Sequence, residues 1–202
     1  MKTNKFIVLE GIDGAGKSTV AHVISETFKD SIGVFAEPTK NSPYSGAIRQ
    51  VLSGKNESNE NNLLKLFKLD RLWNVQNQIL PSVQKNKLTI LDRYFFSTAA
   101  YQGQNQQEVI SIMDDYMANP EILKPDFVFY LKLDADVAMK RIVSRKANLD
   151  IFEKKIILEK IIENYNYIFS EYGFPFPVMF LDARQNPGEN VKHIINKVFS
   201  VV

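Results

Sequence analysis

Gly11-Ile12-Asp13-Gly14-Ala15-Gly16-Lys17-Ser18 is the stretch on which the reading of this chain turns. It satisfies the pattern G-x-x-x-x-G-K-[ST] at every fixed position. The glycines allow a tight turn that points backbone N–H groups inward at phosphate oxygens. The lysine brings a positive charge to the β- and γ-phosphates, and the serine hydroxyl is a ligand for Mg²⁺. The flanks agree with this. Lys5-Phe6-Ile7-Val8-Leu9-Glu10 is a short apolar run that reads as a buried strand, and Ser18 to Lys29 reads as a helix. Strand, glycine loop and helix in that order seat phosphates on a helix N-terminus. A nucleoside triphosphate is therefore the expected ligand, held by Gly11, Ile12, Asp13, Gly14, Ala15, Gly16, Lys17, Ser18 and Thr19.

Working outward, β-branched and apolar runs alternate with longer helical stretches. Strands are expected at 33–36, 87–92, 126–131 and 177–182. Helices are expected near 44–53, 60–80, 107–118, 135–145, 151–171 and 188–200. In the helix at 151–171, Phe152, Ile156, Ile157, Ile161, Tyr165 and Ile168 carry the spacing of one buried face. The polar segment 54–62 reads as a surface turn. Alternation of this kind implies an α/β chain, a five-stranded parallel sheet flanked by helices on both faces, in the manner of the P-loop NTPase fold. Ligands of such sheets gather at the carboxyl ends of the strands. Glu10 and the P-loop, Glu37, and Asp92-Arg93 all stand there and are expected to line one crevice, without Leu133 and Asp134.

Composition narrows the class. The 202 residues suit a single domain with a proper core. A net charge of +2 indicates neither a nucleic-acid platform nor a membrane surface. With no cysteine, disulfides, thiolate catalysis and the usual zinc sites are excluded. No apolar run approaches the roughly 18 residues that span a bilayer, and the N-terminal apolar run is too short for a signal segment. A cytoplasmic protein is expected. The guanine-reading motif N-K-x-D is absent, as is D-x-x-G after the third strand, so a GTPase is not indicated. A small-molecule phosphotransferase fits best.

Several segments together resemble the thymidylate kinases, nucleoside monophosphate kinases that phosphorylate dTMP. The first strand and P-loop, Glu37-Pro38-Thr39, Leu66-Phe67 with Asp70-Arg71, and Pro125-Asp126 all take part. So do Leu149-Asp150 and Phe152-Glu153. The most specific match is Asp92-Arg93-Tyr94 followed by Ser97, Ala100, Tyr101, Gln102 and Gly103. The likeness runs from about residue 5 to 182. It implies transfer of the γ-phosphoryl of ATP to dTMP, with Mg²⁺ held through Ser18 and Asp92, in a homodimer. Phe67 would stack on thymine and Arg71, one turn along, would reach the base edge. Arg93 would hold the acceptor phosphate, for which a guanidinium fork is well shaped, with Arg49 assisting. The resemblance implies that Asp13 bonds the sugar 3′-hydroxyl, that Tyr101 crowds the 2′ position, and that Glu37, Ser97 and Gln102 complete the acceptor site.

No general base is needed, because a phosphate oxygen is already ionised at neutral pH. Catalysis is then positioning and charge stabilisation by Lys17, Arg93 and a lid cation. The lid is expected at about 141–153, with Arg145 as its catalytic arginine beside Arg141 and Lys146. Two departures from the family pattern stand out. Ala36 replaces a common arginine, so that one acceptor-side contact is either lost or supplied by Lys40. The lid lacks the usual glycine near 146–148 and carries Ile151 in place of a frequent basic residue. Two other readings stay open on sequence alone: a deoxynucleoside kinase with Glu37 as general base, and a catalytically silent nucleotide-binding protein.

Overall fold

The computed structural model describes residues 4–54, 60–144 and 151–199. Its sheet is parallel throughout, in the order β2-β3-β1-β4-β5. β1 (Lys5–Glu10) occupies the centre, and Phe6, Ile7, Val8 and Leu9 are fully buried. A strand covered on both faces needs an unbroken apolar run rather than alternation, and this is what the sequence supplies. β3 (Leu88–Asp92) and β4 (Phe127–Lys132) pair on either side of it. The edges are β2 (Ile32–Ala36) and β5 (Val178–Asp182), where Val34 and Phe180 are exposed. Each strand agrees with its sequence expectation to within a residue.

Because β3 and β4 leave the central strand on opposite sides, a crevice opens at the carboxyl end of β1. The P-loop fills it. Gly11 takes φ +146°, and a Cβ there would lie 2.7 Å from the carbonyl oxygen of Leu131. Gly14 takes φ +83°, with the Ala138 carbonyl 3.2 Å from any Cβ. The loop leads into α1 (Lys17–Phe28), which has no side-chain cap on its first turn. Its leading N–H groups are thus left for a ligand.

The remaining helices are α2 (Ser45–Leu52), α3 (Glu60–Asn74), α4 (Leu80–Lys85), α5 (Phe95–Gln102), α6 (Gln106–Ala118), α7 (Ala135–Val143), α8 (Ile151–Glu171) and α9 (Pro187–Phe199). Four findings correct the sequence expectation. The helix expected over 60–80 is α3, then a π-turn at Val75–Ile79, then α4. Pro81, at the start of α4, has no N–H for the carbonyl one turn back, and the ladder widens ahead of it. There the Asn77 side chain donates to the Trp73 carbonyl at 2.8 Å. The polar segment after Gly54 ends earlier than expected, since α3 begins at Glu60; residues 55–59 lie outside the described ones.

α5 was not expected at all. Phe95, Phe96, Ser97, Thr98, Ala99 and Ala100 are all buried, so the helix shows no polar face and no 3.6-residue period. In α8, Ile161, Tyr165 and Ile168 are buried as expected, but Ile156 and Ile157 are more than half exposed. Leu158 turns inward in their place. Among the described residues no helix is long and apolar enough to cross a membrane.

Candidate active site

Asp92 ends β3 beside Leu9 of β1. Its Oδ2 accepts from the Ser18 hydroxyl at 2.6 Å, while its buried Oδ1 has no hydrogen-bond partner among the described residues. An unpartnered carboxylate oxygen next to a P-loop serine suits a hydrated Mg²⁺, so the residues present fit the ion that ATP-dependent kinases generally need. Lys17 lies beside them, buried, with Nζ donating to the Gly11 and Ile12 carbonyls at 3.0 Å each. Burial pulls its ammonium down to about 8, with the charge of Arg93 adding to that and Asp92, Asp13 and Glu10 acting against it. Such a lysine is compact, poorly solvated and ready for phosphate.

The chain after Asp92 turns sharply. Arg93 has φ +71°, unusual for a residue with a side chain, and its N–H donates to the Leu9 carbonyl. Its Nη1 donates to the Ser97 hydroxyl at 3.1 Å, and its Nη2 donates to Asp13 at 2.6 Å and the Tyr101 hydroxyl at 3.0 Å. The guanidinium also lies 4.8 Å from the centre of the Tyr101 ring. Burial opposes its charge, but the phenols of Tyr101 and Tyr165 and the carboxylates of Asp13 and Glu10 more than offset this, and the shift is upward. Arg93 stays charged. Asp13, which would be repelled by phosphates if it pointed into the loop, faces away to this arginine.

On the far side of Arg93 is a cavity of about 240 Å³. Asp13, Glu37, Phe67, Arg71, Arg93, Ser97, Tyr101 and Gln102 all line it, so the P-loop, the end of β2, α3 and α5 converge as the strand-end rule requires. Arg71 is nearly fully buried. It forms an ion pair with Glu37 (Nη2 to Oε2, 2.7 Å), with a second bond from Nε at 2.8 Å and a third from Nη2 to the Thr98 hydroxyl at 3.0 Å. The rings of Tyr116 and Tyr94 lie within 4.5 and 5.2 Å of it. Burial would weaken its charge, yet the Glu37 carboxylate beside it raises its pKa. Its Nη1 remains without a hydrogen-bond partner among the described residues. A fixed, buried N–H donor in a small cavity with Phe67 on its wall is a ready partner for a planar heterocycle bearing a carbonyl.

The structure also qualifies some expected roles. Both oxygens of Glu37 are engaged, one by Asn74 and the other by Arg71, which counts against its use as a base. Ser97 spends its hydroxyl on buried Glu10 rather than on the open cavity. Arg49 is exposed on α2, bonded at 3.4 Å to Ser45, in a shallow hollow outside the cavity wall. Lys40 and Ala36 line a different hollow, beside Ser18 and Asp92. Asp134 belongs to a separate groove with Lys132 and Arg184. Arg145 and Lys146, with the rest of 145–150, lie outside the described residues.

Two residues named from the sequence take roles that it did not suggest. Asp70 accepts from the Thr39 N–H at 2.9 Å and from the hydroxyls of Thr39 and Ser42, holding the chain that carries Glu37 against α3. On the donor side, Arg141 donates to the Gly14 carbonyl and the Ala183 carbonyl, each at 3.0 Å. A hollow there is lined by Gly14, Gly16, Thr19, Arg141, Ala183 and Gln185.

A P-loop facing a second pocket that carries two arginines, across one strand end, is the construction of a P-loop kinase for a small phosphate-bearing acceptor. Residues 9–194 match the family Thymidylate kinase. A thymidylate kinase of Leptospira borgpetersenii is 35% identical, covering 96% of this chain and 94% of that protein. One from Desulfotalea psychrophila is 35% identical over the same shares. A protein of Methanocaldococcus jannaschii named "Probable thymidylate kinase" is 37% identical over 86% of each chain. The chain belongs to the thymidylate kinase family, and is a kinase that phosphorylates dTMP with ATP.

Proposed function

We propose a division of labour between the two pockets. The triphosphate of ATP lies along residues 11–19 with Lys17 at its γ-end, and its base takes the hollow between Arg141 and Ala183–Gln185. The acceptor dTMP fills the second cavity: thymine against Phe67 with the buried, unpartnered Nη1 of Arg71 towards its edge, the sugar beside Asp13 and Tyr101, and the phosphate on Arg93. The observation that carries this reading is the placement of Arg71 and Arg93 at two points of one cavity, the first ion-paired with Glu37 and the second with Asp13 of the P-loop.

Chemistry then needs no proton acceptor. An ionised phosphate oxygen of dTMP is directed at the γ-phosphorus, while Lys17 and Arg93 stabilise the charge on the transferring group. Ser18 and Asp92 would hold the Mg²⁺ of MgATP, which neutralises phosphate charge when bound. A deoxynucleoside kinase would use Glu37 as base, and the occupied oxygens of Glu37 count against it. A homodimer in the cytoplasm, a single domain and a cation from the 145–150 segment, with Arg145 first choice, belong to the same reading.

The test is ADP release with MgATP and either dTMP or thymidine, in wild type and Arg93→Ala. Turnover of dTMP alone, with a raised KM for dTMP and an unchanged KM for ATP in the variant, is expected. An Arg93→Ala enzyme with wild-type dTMP kinetics would sink the assignment.

A further inference from the structure

Glu10 ends the central strand with its side chain wholly buried, and nothing in the transfer itself uses it. Its carboxylate is nevertheless surrounded by donors. Oε1 accepts from the backbone N–H of Tyr94 at 2.7 Å and of Ser97 at 3.3 Å. Oε2 accepts from the Ser97 hydroxyl at 2.6 Å and the Tyr165 hydroxyl, on α8, at 2.8 Å. The Ser97 and Tyr165 oxygens are themselves 2.8 Å apart. α5 has no side-chain cap of its own. Glu10 therefore caps that helix from another element, placing a negative charge at its N-terminus.

Arg93 stands immediately before the capped turn, in its left-handed backbone conformation, with one end of its guanidinium on the same Ser97 hydroxyl. A hydroxyl that donates to a carboxylate is polarised and accepts more strongly, so the chain Glu10–Ser97–Arg93 is cooperative. Without it the fork would be held only at the Asp13 and Tyr101 end, where Asp13 is largely exposed. We infer that Glu10 is a positioning residue for Arg93, acting through Ser97 and secured by Tyr165. The inference rests on Arg93 holding the acceptor phosphate.

A double-variant cycle of Glu10→Gln with Arg93→Ala tests it, read as the dTMP dissociation constant by calorimetry and as kcat/KM for each substrate. Glutamine keeps the shape, and the two hydroxyls can turn to accept from its amide. Glu10→Gln alone weakens dTMP binding about tenfold with the KM for ATP within about twofold, and in the Arg93→Ala background it adds less than about twofold. A cap acting only on the fold would lower both backgrounds by the same factor, and that result overturns the inference. So does wild-type dTMP affinity in Glu10→Gln. Tyr165→Phe runs through the same cycle if Glu10→Gln fails to accumulate, with about a threefold effect that disappears in Arg93→Ala. Normal dTMP binding by Arg93→Ala itself would remove the reading of Arg93, whereas a defective Arg93→Ala with a normal Glu10→Gln removes only the role of Glu10.

Discussion

The proposed donor side is built from consecutive residues, 11–18, and would bind mostly through backbone; the acceptor cavity gathers side chains from the P-loop, the end of β2, α3, the end of β3 and α5. The first is a conformation fixed by glycines. The second is a set of charges held in place by other charges, with Arg71 in its ion pair with Glu37 and Arg93 among Asp13, Ser97 and Tyr101. Backbone sites fail when their conformation is denied, and charge networks fail when a partner is removed. The two sides should therefore respond to substitution in different ways.

The largest effect is expected from Arg71→Met. Removing one partner of a buried pair leaves Glu37 uncompensated, which costs about 3–5 kcal/mol of stability by urea unfolding. Adding Glu37→Gln should return part of that stability without returning dTMP turnover. If the single variant unfolds like wild type, the acceptor side is not held by its charges. Next comes Lys17→Ala, for which turnover falls about a hundredfold to a thousandfold, while calorimetry shows dTMP binding within about twofold of wild type. Lost dTMP binding would erase the separation between the sides.

Gly11→Ala denies the loop its backbone, since φ +146° is strained for alanine and the new Cβ meets the Leu131 carbonyl. A loss of about 1–3 kcal/mol in the unfolding free energy is expected, with ATP affinity falling more than dTMP affinity. Equal losses for both nucleotides would blur the contrast. The smallest effect is alkaline. Tyr94 and Tyr116 beside Arg71, and Tyr101 and Tyr165 beside Arg93, all have raised pKa values, chiefly through burial. Above about pH 10 the unfolded chain releases phenolic protons that the folded chain keeps, so stability falls as pH rises. Tyr116→Phe removes one such group, and the urea midpoint should decline less steeply from pH 10 upward; an unchanged decline would place the alkaline sensitivity elsewhere.

The same contrast governs what could be read from sequence. The P-loop is local, so its residue types and flanking periodicities were enough, and the strands followed because buried parallel strands are continuous apolar runs. Phe67, Arg71, Arg93 and Tyr101 could be placed in one site only through the family likeness and the strand-end rule. Their partners were harder to see. Glu10 reads as a strand end facing the crevice, Tyr165 as one more apolar position on a helix, and Asp70 only as part of the family match. Each acquires its role from a contact across the fold. α5 was hidden because burial on every side erased its amphipathic period, and the π-turn because only the position of Pro81 hinted at it.

The helix that supplies Phe67 and Arg71 also carries Trp73, just ahead of the π-turn and the only tryptophan in the chain. Its indole emission is thus an optical probe built into the helix that forms part of the acceptor wall, though not into the wall itself, and uncontaminated by any second indole. A change in that emission on adding dTMP, absent with nucleotide bound only at the P-loop, would report movement of this helix on the unmodified protein.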